Sequence, residues 1–584
     1  MNGIVNQINS NRVAALCGVA ASLMWVSQPP FCLWLVAFVA LVPWLMLIDV
    51  QQPLTRRSYV VVWLCAFLYW LISLQGLRHA HWAIYPAWVA LAAYLSVYNL
   101  LFVSVCRRMI NPIRAGRSIP IWIAAPVTWV GLECVRNYFI TGISAAMLGH
   151  TMADVPVMIQ IADLFGTYGI SFVLVTVNVA VFCALKFWQD KQGRHSVLPA
   201  VAVAGVLMAA TIAYGFHRVG QTSVSDTDSP LATFALIQRA EVVEYVHNPQ
   251  REVDIFRAYE RETVRALQSA NVAVDAVVWP ESMMSAGNPW FFAEPDAIPP
   301  AEYQVSAEEF QLGIRESQDR FCSIRKMIQD EFASFNQSRK APHWIGGCGV
   351  VGYSQLPHQY NGIVNLGPDG SMQNWYGKTH LVLVGEYIPV LGSLPGVRSI
   401  LPMLTQGEGP KQFVVGETTV APNICIETAV ERVTINQMGA MHFQQKLPDV
   451  VVTVTNDGWF DDSSVIDHHL RCAQLVAVGA RRPILSSANN GPTTWIDSCG
   501  QIVKRLETGT NGSIIATPLK DSRTSLYIRI GDWPARLLAI VCIIYLVGIF
   551  RDWRNQRRER RLESADDPDA PLGPDVPLGT VETK

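Results

Sequence analysis

Three residues of this chain have types that could together transfer an acyl group, and each stands beside an apolar run. Glu281 follows the run in "VVWPES", Cys425 follows the run in "NICIET", and Lys378 lies between them in "YGKTHLVLVGEYIP" (376–389). A free thiol has a pKa of about 8.5, so a base must take its proton as the sulfur attacks a carbonyl carbon. A carboxylate could be that base, and an ammonium group could stabilise the thiolate and the oxyanion.

Each of these residues also has a simpler interpretation when it is considered alone. A glutamate at a strand end is usually solvated, a lysine in a glycine-flanked loop usually lies at the surface, and a cysteine in an apolar run is usually packed in a core. Their shared position at strand ends favours catalysis, because ligand-binding groups of open α/β sheets collect at the carboxyl ends of strands. Spacing in the sequence does not by itself show that the three side chains meet.

Two further polar motifs lie in the same part of the chain. "VTVTNDGWF" ends a third apolar run in Asn456 and Asp457, and "DHH" (467–469) suggests a metal site. Neighbouring histidines on a helix point in different directions, however, and no clear third ligand follows at the spacing of a zinc site. We therefore expect structural or supporting roles for these histidines and no metal ion.

The elements that must position these residues form an α/β domain. Short runs rich in Val, Ile, Thr and Trp end at Gly, Pro, Asn or Asp, which is typical of strands. Several runs are apolar on both faces, as in a sheet that is covered on both sides, so the pattern predicts a layered α/β sandwich. The predicted strands are 231–238, 272–281, 343–352, 361–367, 418–427, 449–457, 482–490, 493–497 and 512–518, and the predicted helices are 250–270 and 463–480.

Composition separates this domain from a membrane part. Of the 584 residues, 50% are hydrophobic and 16% are charged, whereas soluble proteins carry about 25% charged residues. The net charge of −2 gives no basic bias towards nucleic acid. Since a spanning helix needs about 20 apolar residues, eight spans are predicted. They cover 13–26, 31–49, 59–75, 83–105, 119–135, 159–185, 197–216 and 533–550.

The lysines and arginines beside these spans predict their orientation, because cytoplasmic loops carry an excess of both residues. One set of short loops holds only Arg78 and Arg136. The opposite set and both chain termini are therefore expected in the cytoplasm. The basic residues of that opposite set and of the segment after the last span are Arg56, Arg57, Arg107, Arg108, Arg114, Arg117, Lys186, Lys191, Arg194, Arg551, Arg554, Arg557, Arg558, Arg560 and Arg561.

These expectations divide the chain into four parts. Residues 1–216 are predicted to form a bundle of seven transmembrane helices, 217–530 an extracytoplasmic domain, 531–552 the eighth transmembrane helix, and 553–584 a cytoplasmic tail. The tail is basic at first, and from residue 562 it is rich in Pro and Asp and is expected to be disordered. The long segment 284–342 contains "NPWFFAEP", which suggests a mobile lid with exposed aromatic side chains.

The cysteines divide along the same boundary. Most of the 12 lie in or beside predicted spans, where we interpret them as small apolar residues. The outer domain holds an odd number, so at least one of its cysteines is unpaired within the domain, which suits a free nucleophile. The cysteines of this domain are Cys322, Cys348, Cys425, Cys472 and Cys499.

Taken together, the motifs resemble those of a known superfamily. "WPES", "YGKTHLVLVGEYIP", "NICIET" and "TNDGWF", in this order, are similar to the motifs of the nitrilase superfamily of Glu-Lys-Cys enzymes. With the predicted spans, "GTYGISF" (166–172) and "RPILSSANNG" (482–491), the chain resembles the apolipoprotein N-acyltransferase family over about 13–550. The resemblance implies a transmembrane α-helical bundle plus an extracytoplasmic nitrilase-like αββα sandwich.

The resemblance also implies a reaction and a set of roles. Cys425 would be the nucleophile that takes an acyl chain from a membrane phospholipid, Glu281 the base and Lys378 the electrostatic stabiliser. The acceptor would be the N-terminal amine of the S-diacylglyceryl-cysteine of a lipoprotein. The protein would lie in the bacterial inner membrane with its catalytic domain in the periplasm, and it would need no metal or other cofactor. Supporting residues would be Glu386, Glu427, Asn456 and Trp459.

The sequence also departs from the family pattern. Family members usually have an aromatic residue after the nucleophile, where this chain has Ile426. "GISAAM" (142–147) replaces a usual Gly-Phe-Pro-Trp stretch, and Val476 and Gly479 replace a usual Arg and Glu. The segment 284–342 is also long. These departures bear on substrate preference and leave the three catalytic residue types in place.

Two other functions fit parts of the sequence. A membrane-tethered nitrilase-type amidase, which hydrolyses a C–N bond, would use the same thioester and give its acyl group to water. The predicted spans argue against it, because a soluble substrate needs no lipid-lined site. A catalytically inactive receptor would not need Glu281, Lys378 and Cys425 together.

Overall fold

The structure is a computed structural model that describes residues 10–112, 118–140, 142–190, 194–225, 230–242, 248–383, 385–387 and 403–563. Along the chain, a β-rich part lies between apolar helices that precede it and an apolar helix that follows it. Parts of the sequence predictions lie outside the described residues. They are the end of the motif 376–389, almost all of the tail predicted to be disordered (562–584), and the basic residues Arg114, Arg117 and Lys191.

The helical part contains every segment that was predicted to span a membrane. Four helices are long and apolar enough to cross one, namely Tyr85–Ile110, Ala162–Gln189, Val197–Gln221 and Trp533–Arg558. Three others have 18 residues each, or roughly 27 Å at 1.5 Å per residue. The helices of this part are α1 (Ser10–Ser27), α2 (Val42–Ile48), α3 (Arg56–Ser73), α4 (Tyr85–Ile110), α5 (Ile121–Tyr138), α6 (Pro156–Ile159), α7 (Ala162–Asp190), α8 (Arg194–Ser225) and α15 (Trp533–Glu563).

The predicted span 31–49 is not one continuous helix. A 3₁₀ turn covers Trp34–Phe38 and α2 begins only at Val42. Asn178, buried on α7, accepts a hydrogen bond from the backbone N–H of Leu41 at 2.8 Å and donates one to the carbonyl of Ala37 at 2.8 Å. The break is stable in an apolar bundle because this side chain satisfies the backbone groups that the helix leaves open. The count of eight spans therefore stays a prediction.

The β-rich part consists of two sheets, and all nine predicted strands are present. Four short strands were not predicted: β3, β6, β7 and β12. In spatial order the sheets are β13-β1-β2-β4-β5-β6, with β3 beside β4, and β12-β11-β10-β9-β8-β7. The strands are β1 (Phe234–Gln238), β2 (Ala276–Trp279), β3 (Trp290–Ala293), β4 (His343–Tyr353), β5 (Pro357–Leu366), β6 (Met372–Gly377), β7 (Phe413–Val415), β8 (Thr418–Ile424), β9 (Val450–Asn456), β10 (Ile484–Asn489), β11 (Thr494–Ile496), β12 (Ile502–Arg505) and β13 (Gly512–Ala516).

The two sheets pack face to face and are covered by helices, which gives an αββα sandwich. Val278 and Ile345 of the first sheet share a buried cluster with Val452 and Leu485 of the second. The outer face of the first sheet carries α9 (Pro249–Ser269) and α10 (Ala307–Phe335), and that of the second carries α12 (Glu431–Phe443) and α13 (Ser464–Ala480). Because both faces are covered, the strands are apolar on both sides. The short helices α11 (Ile426–Ala429) and α14 (Leu526–Ile530) complete this part.

The segment 284–342 is part of the sandwich, and the predicted exposed aromatic lid is wrong. Strand β3 pairs in parallel with the outer half of β4. Trp290 of β3 is only 8% exposed and stacks edge-on against Phe321 of α10, at 5.3 Å between ring centroids. The aromatic side chains are covered because α10, which follows them in the chain, folds back over this edge of the sheet.

Buried ion pairs join the sandwich to the bundle through α13. The Arg481 guanidinium donates to Asp163 of α7 from Nε at 2.9 Å and from Nη2 at 2.6 Å, and both side chains are buried. Arg471 donates to the carbonyl of His150 at 2.7 Å. Arginine suits such positions because its planar fork satisfies two acceptors at once. Helix α13 therefore has a fixed position relative to the bundle.

Candidate active site

Cys425 lies at a sharp turn between β8 and α11. Its backbone has φ 47° and ψ −108°, a combination that L-residues rarely adopt. The N–H of Cys425 donates to the carbonyl of Val454 on the neighbouring parallel strand β9 at 2.9 Å. The side chain is half-buried at the end of the strand, as the sequence predicted, and the next residue begins a helix.

Lys378 and two glutamates form a buried network. Lys378 Nζ lies 3.3 Å from Glu281 Oε1 and 2.8 Å from Glu386 Oε1. Asn361 Nδ2 donates to the same two oxygen atoms, at 2.7 Å and 3.0 Å. The structure therefore brings together the carboxylate and the ammonium group that the sequence analysis selected. Asn361 was missed, because the predicted strand 361–367 placed it at a strand start, where a polar residue carries no separate signal, whereas it lies in the middle of β5.

A glycine makes room for the base. Gly347 of β4 lies against the backbone of Pro280 and Glu281, and a Cβ atom there would stand 2.4 Å from the Cα of Glu281. Any larger residue would push this backbone away. The "GGCG" run in β4 therefore allows the close approach that places Glu281 beside the second sheet, where its Oε2 accepts from the N–H of Asn456 at 3.0 Å.

The charges of this network act on the nucleophile. Burial and the Glu281 carboxylate raise the pKa of the Cys425 thiol, and the Lys378 ammonium opposes them. Burial lowers the pKa of Lys378, but the negative charges of Glu281 and Glu386 outweigh burial and raise it above its usual value. Lys378 is therefore protonated, while Cys425 rests as a thiol and needs a base.

Glu427 connects the lysine loop to the turn at Cys425. Its Oε1 accepts from Tyr376 Oη at 2.7 Å, from the N–H of Thr379 at 2.7 Å and from Thr379 Oγ1 at 2.6 Å. Its Oε2 accepts from the N–H of Ile424 at 2.8 Å. Burial raises the pKa of this carboxyl group, and these hydrogen bonds oppose the effect. Glu427 touches no reacting atom. It joins the lysine loop to the end of β8, which is the position expected of a supporting residue.

The two remaining predicted supporting residues lie after β9. Asn456 donates its N–H to Glu281, and its Oδ1 accepts from Asn489 Nδ2 at 3.0 Å. Trp459 ends a 3₁₀ turn, Asp457–Trp459, and is half-buried. Asn456 thus holds the Glu281 carboxylate, whereas Trp459 lies three residues after Asn456 in the chain.

The sequence did not assign His469 to the site. Its Nε2 lies 3.0 Å from the carbonyl oxygen of Cys425 and 2.9 Å from Thr428 Oγ1. Its Nδ1 lies 3.5 Å from Asp457 Oδ1. The "DHH" motif and its helical spacing could have indicated that one of the two histidines faces the sheet, but not which residue it would touch.

A second buried group with similar residue types lies where the bundle meets the sandwich. His150 Nε2 is 2.5 Å from Glu431 Oε1 and 3.8 Å from Cys472 Sγ. The three ligand atoms are close enough to hold a metal ion. However, His150 Nδ1 accepts from the N–H of Met147 at 3.1 Å, so Nε2 carries the proton and has no lone pair for a metal. The group does not fit a metal ion.

Cysteine pairing agrees with a free nucleophile. Among the described residues, Cys425 forms no disulfide. The prediction that Cys425 is free is thereby confirmed.

Comparison with known proteins places the chain in a family. The apolipoprotein N-acyltransferase N-terminal domain matches residues 20–180, and the carbon-nitrogen hydrolase domain matches residues 241–524. An apolipoprotein N-acyltransferase of Rhodopirellula baltica is 42% identical over 570 residues, which cover 94% of this chain and 99% of that protein. The chain belongs to the apolipoprotein N-acyltransferase family. Its resemblance to this family and to the nitrilase superfamily is confirmed.

Other relatives are more distant. An apolipoprotein N-acyltransferase of Geobacter metallireducens is 27% identical over 84% of this chain and 85% of that protein. Among solved structures, an amidase of the nitrilase superfamily from Nesterenkonia aligns over 53% of this chain and 98% of its own, with 14% identity and a TM-score of 0.34. The two matched domains correspond to the helical part and to the sandwich.

Proposed function

We propose that this member of the apolipoprotein N-acyltransferase family moves an acyl chain from a membrane phospholipid to the N-terminal amine of an S-diacylglyceryl-cysteine on a lipoprotein. The observation that carries the proposal is the buried Glu281–Lys378–Glu386 network, whose charges act on the thiol of Cys425. The apolar bundle to which this site is fixed supports a lipid as donor.

In the first half of the reaction, Glu281 takes the proton of Cys425 as the sulfur attacks the ester carbonyl of the phospholipid. The tetrahedral oxyanion is stabilised by the ammonium group of Lys378. The C–O bond of the ester then breaks, and Glu281 returns the proton to the leaving lysophospholipid oxygen. The acyl chain remains on Cys425 as a thioester.

In the second half, the amine of the diacylglyceryl-cysteine attacks the thioester carbonyl. Glu281 takes a proton from this amine, and the C–S bond breaks once the second oxyanion collapses. The product is an amide, and Glu281 returns the proton to the sulfur, which regenerates the thiol of Cys425. Glu386 holds the ammonium group of Lys378 in place during both halves.

A second donor for the oxyanion is the backbone N–H of Ile426. This residue is the first of α11, so its N–H has no intrahelical acceptor. Preorganised donors of this kind contribute on the order of 10²–10³ in rate each. A backbone donor is also independent of the side chain, which explains how isoleucine can replace the usual aromatic residue here.

The membrane arrangement is part of the proposal. Residues 1–216 and 531–552 hold eight spans, 217–530 face the periplasm, and the N-terminus and the tail 553–584 face the cytoplasm. The distribution of Lys and Arg beside the apolar segments supports this orientation. A catalytic domain beside the outer leaflet of the inner membrane would reach both lipid substrates.

The proposal is tested by purifying the full chain and incubating it with a phospholipid that carries a labelled acyl chain. We expect label on the protein in a bond that neutral hydroxylamine cleaves, as thioesters require, and we expect Cys425→Ala to carry none. A diacylglyceryl-cysteine peptide should then collect the label as an amide.

Cys472→Ala is the matched control, because it removes a second cysteine that is fully buried on α13. We expect it to form the acyl-enzyme normally. Label that persists on Cys425→Ala would contradict the assignment of the nucleophile. Label that passes to water and never to the peptide would favour the amidase-type hydrolase.

A further inference from the structure

The carbonyl group of Cys425 is held by side chains that take no part in the steps above. Its oxygen accepts from His469 Nε2 at 3.0 Å, from Thr428 Oγ1 at 2.9 Å and from the N–H of Thr428 at 3.2 Å. A carbonyl oxygen only accepts hydrogen bonds, so the proton of this contact lies on His469 Nε2. His469 is therefore a donor here and not the base that deprotonates the thiol.

These contacts hold a strained residue. A non-glycine residue with the φ of 47° and ψ of −108° found at Cys425 is strained, and it persists only where its surroundings fix it. Strand β9 fixes the N–H of Cys425 through Val454, and α13 fixes its carbonyl through His469. The turn thus depends on two elements outside its own local sequence.

The direction of this carbonyl sets the direction of the next N–H. In a trans peptide the C=O of Cys425 and the N–H of Ile426 lie in one plane and point in opposite directions. A carbonyl that is fixed towards α13 therefore aims the N–H of Ile426 away from α13. If the carbonyl rotated, this donor would leave the oxyanion even though Cys425, Glu281 and Lys378 stayed in place.

A buried carboxylate orients the histidine. Asp457 Oδ1 lies 3.5 Å from His469 Nδ1 and accepts from Thr455 Oγ1 at 3.2 Å. Asp457 is only 3% exposed. His469 and Asp457 both line a small cavity, whose other walls include the polar Thr453 and the apolar Ile466. The polar partners of the ring are therefore Asp457, Thr428 and the carbonyl of Cys425.

We propose that His469, oriented by Asp457, is a positioning residue of the acyl transfer: its Nε2–H fixes the carbonyl of Cys425 and so aims the N–H of Ile426 at the oxyanion. The inference rests on the proposed function. It also gives the bundle an influence on the chemistry, because His469 lies on α13, the helix that Arg471 and Arg481 join to the bundle.

Two substitutions separate this role from simple packing. The amide nitrogen of Gln can replace Nε2 of histidine, whereas that of Asn is shorter and stands nearer the position of Nδ1. We expect His469→Asn to slow the formation of acyl-enzyme from labelled phospholipid by about 10²-fold, the usual effect of losing one oxyanion donor. His469→Gln should keep most of the rate, and the loss in His469→Asn should appear in kcat rather than in KM.

Alkylation of Cys425 by iodoacetamide is the second measurement. It needs the thiolate but no oxyanion donor, so we expect it to proceed at the wild-type rate in both variants. His468→Asn is the control, since its ring is buried on the same helix and has no hydrogen-bond partner among the residues described. It should acylate like the wild type.

Three results would overturn the inference. The first is acylation at the wild-type rate by His469→Asn. The second is an equal loss of acylation rate in the Gln and Asn variants while alkylation stays intact. The third is a loss of alkylation together with acylation, which would show that His469 supports only the fold. A p-nitrophenyl acyl ester can serve as a second acyl donor, and its rate of acyl transfer depends on the same oxyanion stabilisation. If the wild type uses this ester but not the phospholipid, the proposed function fails while the positioning role can still be measured.

Discussion

Two buried groups in this protein each combine a glutamate, a basic residue and a cysteine, but their cysteines have different surroundings. At the sandwich end, Glu281 and Lys378 act on Cys425; at the junction with the bundle, Glu431 and His150 lie beside Cys472. Cys425 is half-buried at a strained turn after a strand. Cys472 is fully buried in the middle of α13.

The difference lies in charge and access rather than in residue type. Beside Cys425, a protonated lysine opposes the effects that raise the pKa of the thiol. Beside Cys472, burial and the Glu431 carboxylate raise the pKa of the thiol well above its usual value, although Arg136 and a backbone hydrogen bond oppose them. Reactive cysteines need an electropositive and accessible setting. A cysteine next to a glutamate is therefore no sign of catalysis by itself.

The largest expected effect is that of Glu281→Gln, which should slow acyl-enzyme formation and accelerate alkylation of Cys425. Acyl-enzyme formation should fall by about 10²–10⁴-fold, because the general base is lost. Alkylation of Cys425 by iodoacetamide at pH 8 should become faster, because the carboxylate that raises the pKa of the thiol is gone. Stopped assays with labelled phospholipid and with iodoacetamide would measure both rates. A parallel fall in both would mean that Glu281 supports the fold and is not a base.

At the junction, Glu431→Ala should cost stability and not chemistry. It leaves His150 Nε2 and Thr167 Oγ1, which lies 2.6 Å from Glu431 Oε2, without their acceptor. We expect a loss of about 3 kcal/mol in the free energy of unfolding, since each buried donor left unpaired costs roughly 1–3 kcal/mol.

Glu431→Gln is the matched control for that loss, because its amide keeps one carbonyl acceptor and should cost less. Thermal unfolding in detergent would rank the two variants and the wild type. If either variant lost acyl-enzyme formation at a temperature where it is fully folded, the junction would have a catalytic role and the contrast would fail.

The smallest expected effect concerns the acid stability of α13. Burial, with the nearby charges of Arg471 and Arg136, lowers the pKa of His468 to about 3. The unfolded chain binds a proton at this histidine below about pH 6.5 whereas the folded protein does not, so stability falls as the pH drops from about 6.5 towards 3. At pH 5 this loss is on the order of 2 kcal/mol.

His468→Gln should remove this acid-side loss and leave stability at pH 7.5 changed only by packing. Thermal unfolding midpoints at pH 7.5 and 5 would measure the difference. An equal drop in wild type and variant would show that other groups cause the acid sensitivity. His380, whose pKa is lowered to about 4 by burial and by Arg432 and Lys378, is the next candidate.

Much of the site could be predicted because its residues lie at strand ends. The apolar runs before Glu281 and Cys425 indicated strands, and in a sheet covered on both faces the carboxyl ends of strands are where polar groups can collect. The same runs predicted nine of the 13 strands and two of the longer helices of the sandwich, α9 and α13, but not α10. Local sequence is sufficient for these features, because periodicity and strand-ending residues are local properties.

The short edge strands could not be predicted in the same way. Strand β12 has exposed charged residues and β7 has only three residues, so neither shows the apolar pattern of a buried strand. Strand β3 was predicted to be part of a lid with exposed aromatic side chains. These side chains are covered by α10, which follows more than a dozen residues later, so the local sequence around β3 does not show their burial. Such elements exist because a neighbouring strand offers them hydrogen bonds.

The sequence by itself determined the residue types at the site, the strands of a layered α/β sandwich and the apolar segments, since all of these follow from local composition and spacing. Only the tertiary structure decided which cysteine lies beside Glu281 and Lys378, that Asn361 shares the glutamates with Lys378, and that His469 holds the carbonyl of Cys425. The physical reason is that hydrogen bonds and charge interactions depend on distances of about 3 Å between atoms far apart in the chain. No local pattern encodes those distances, because they arise only when the two sheets and α13 pack together.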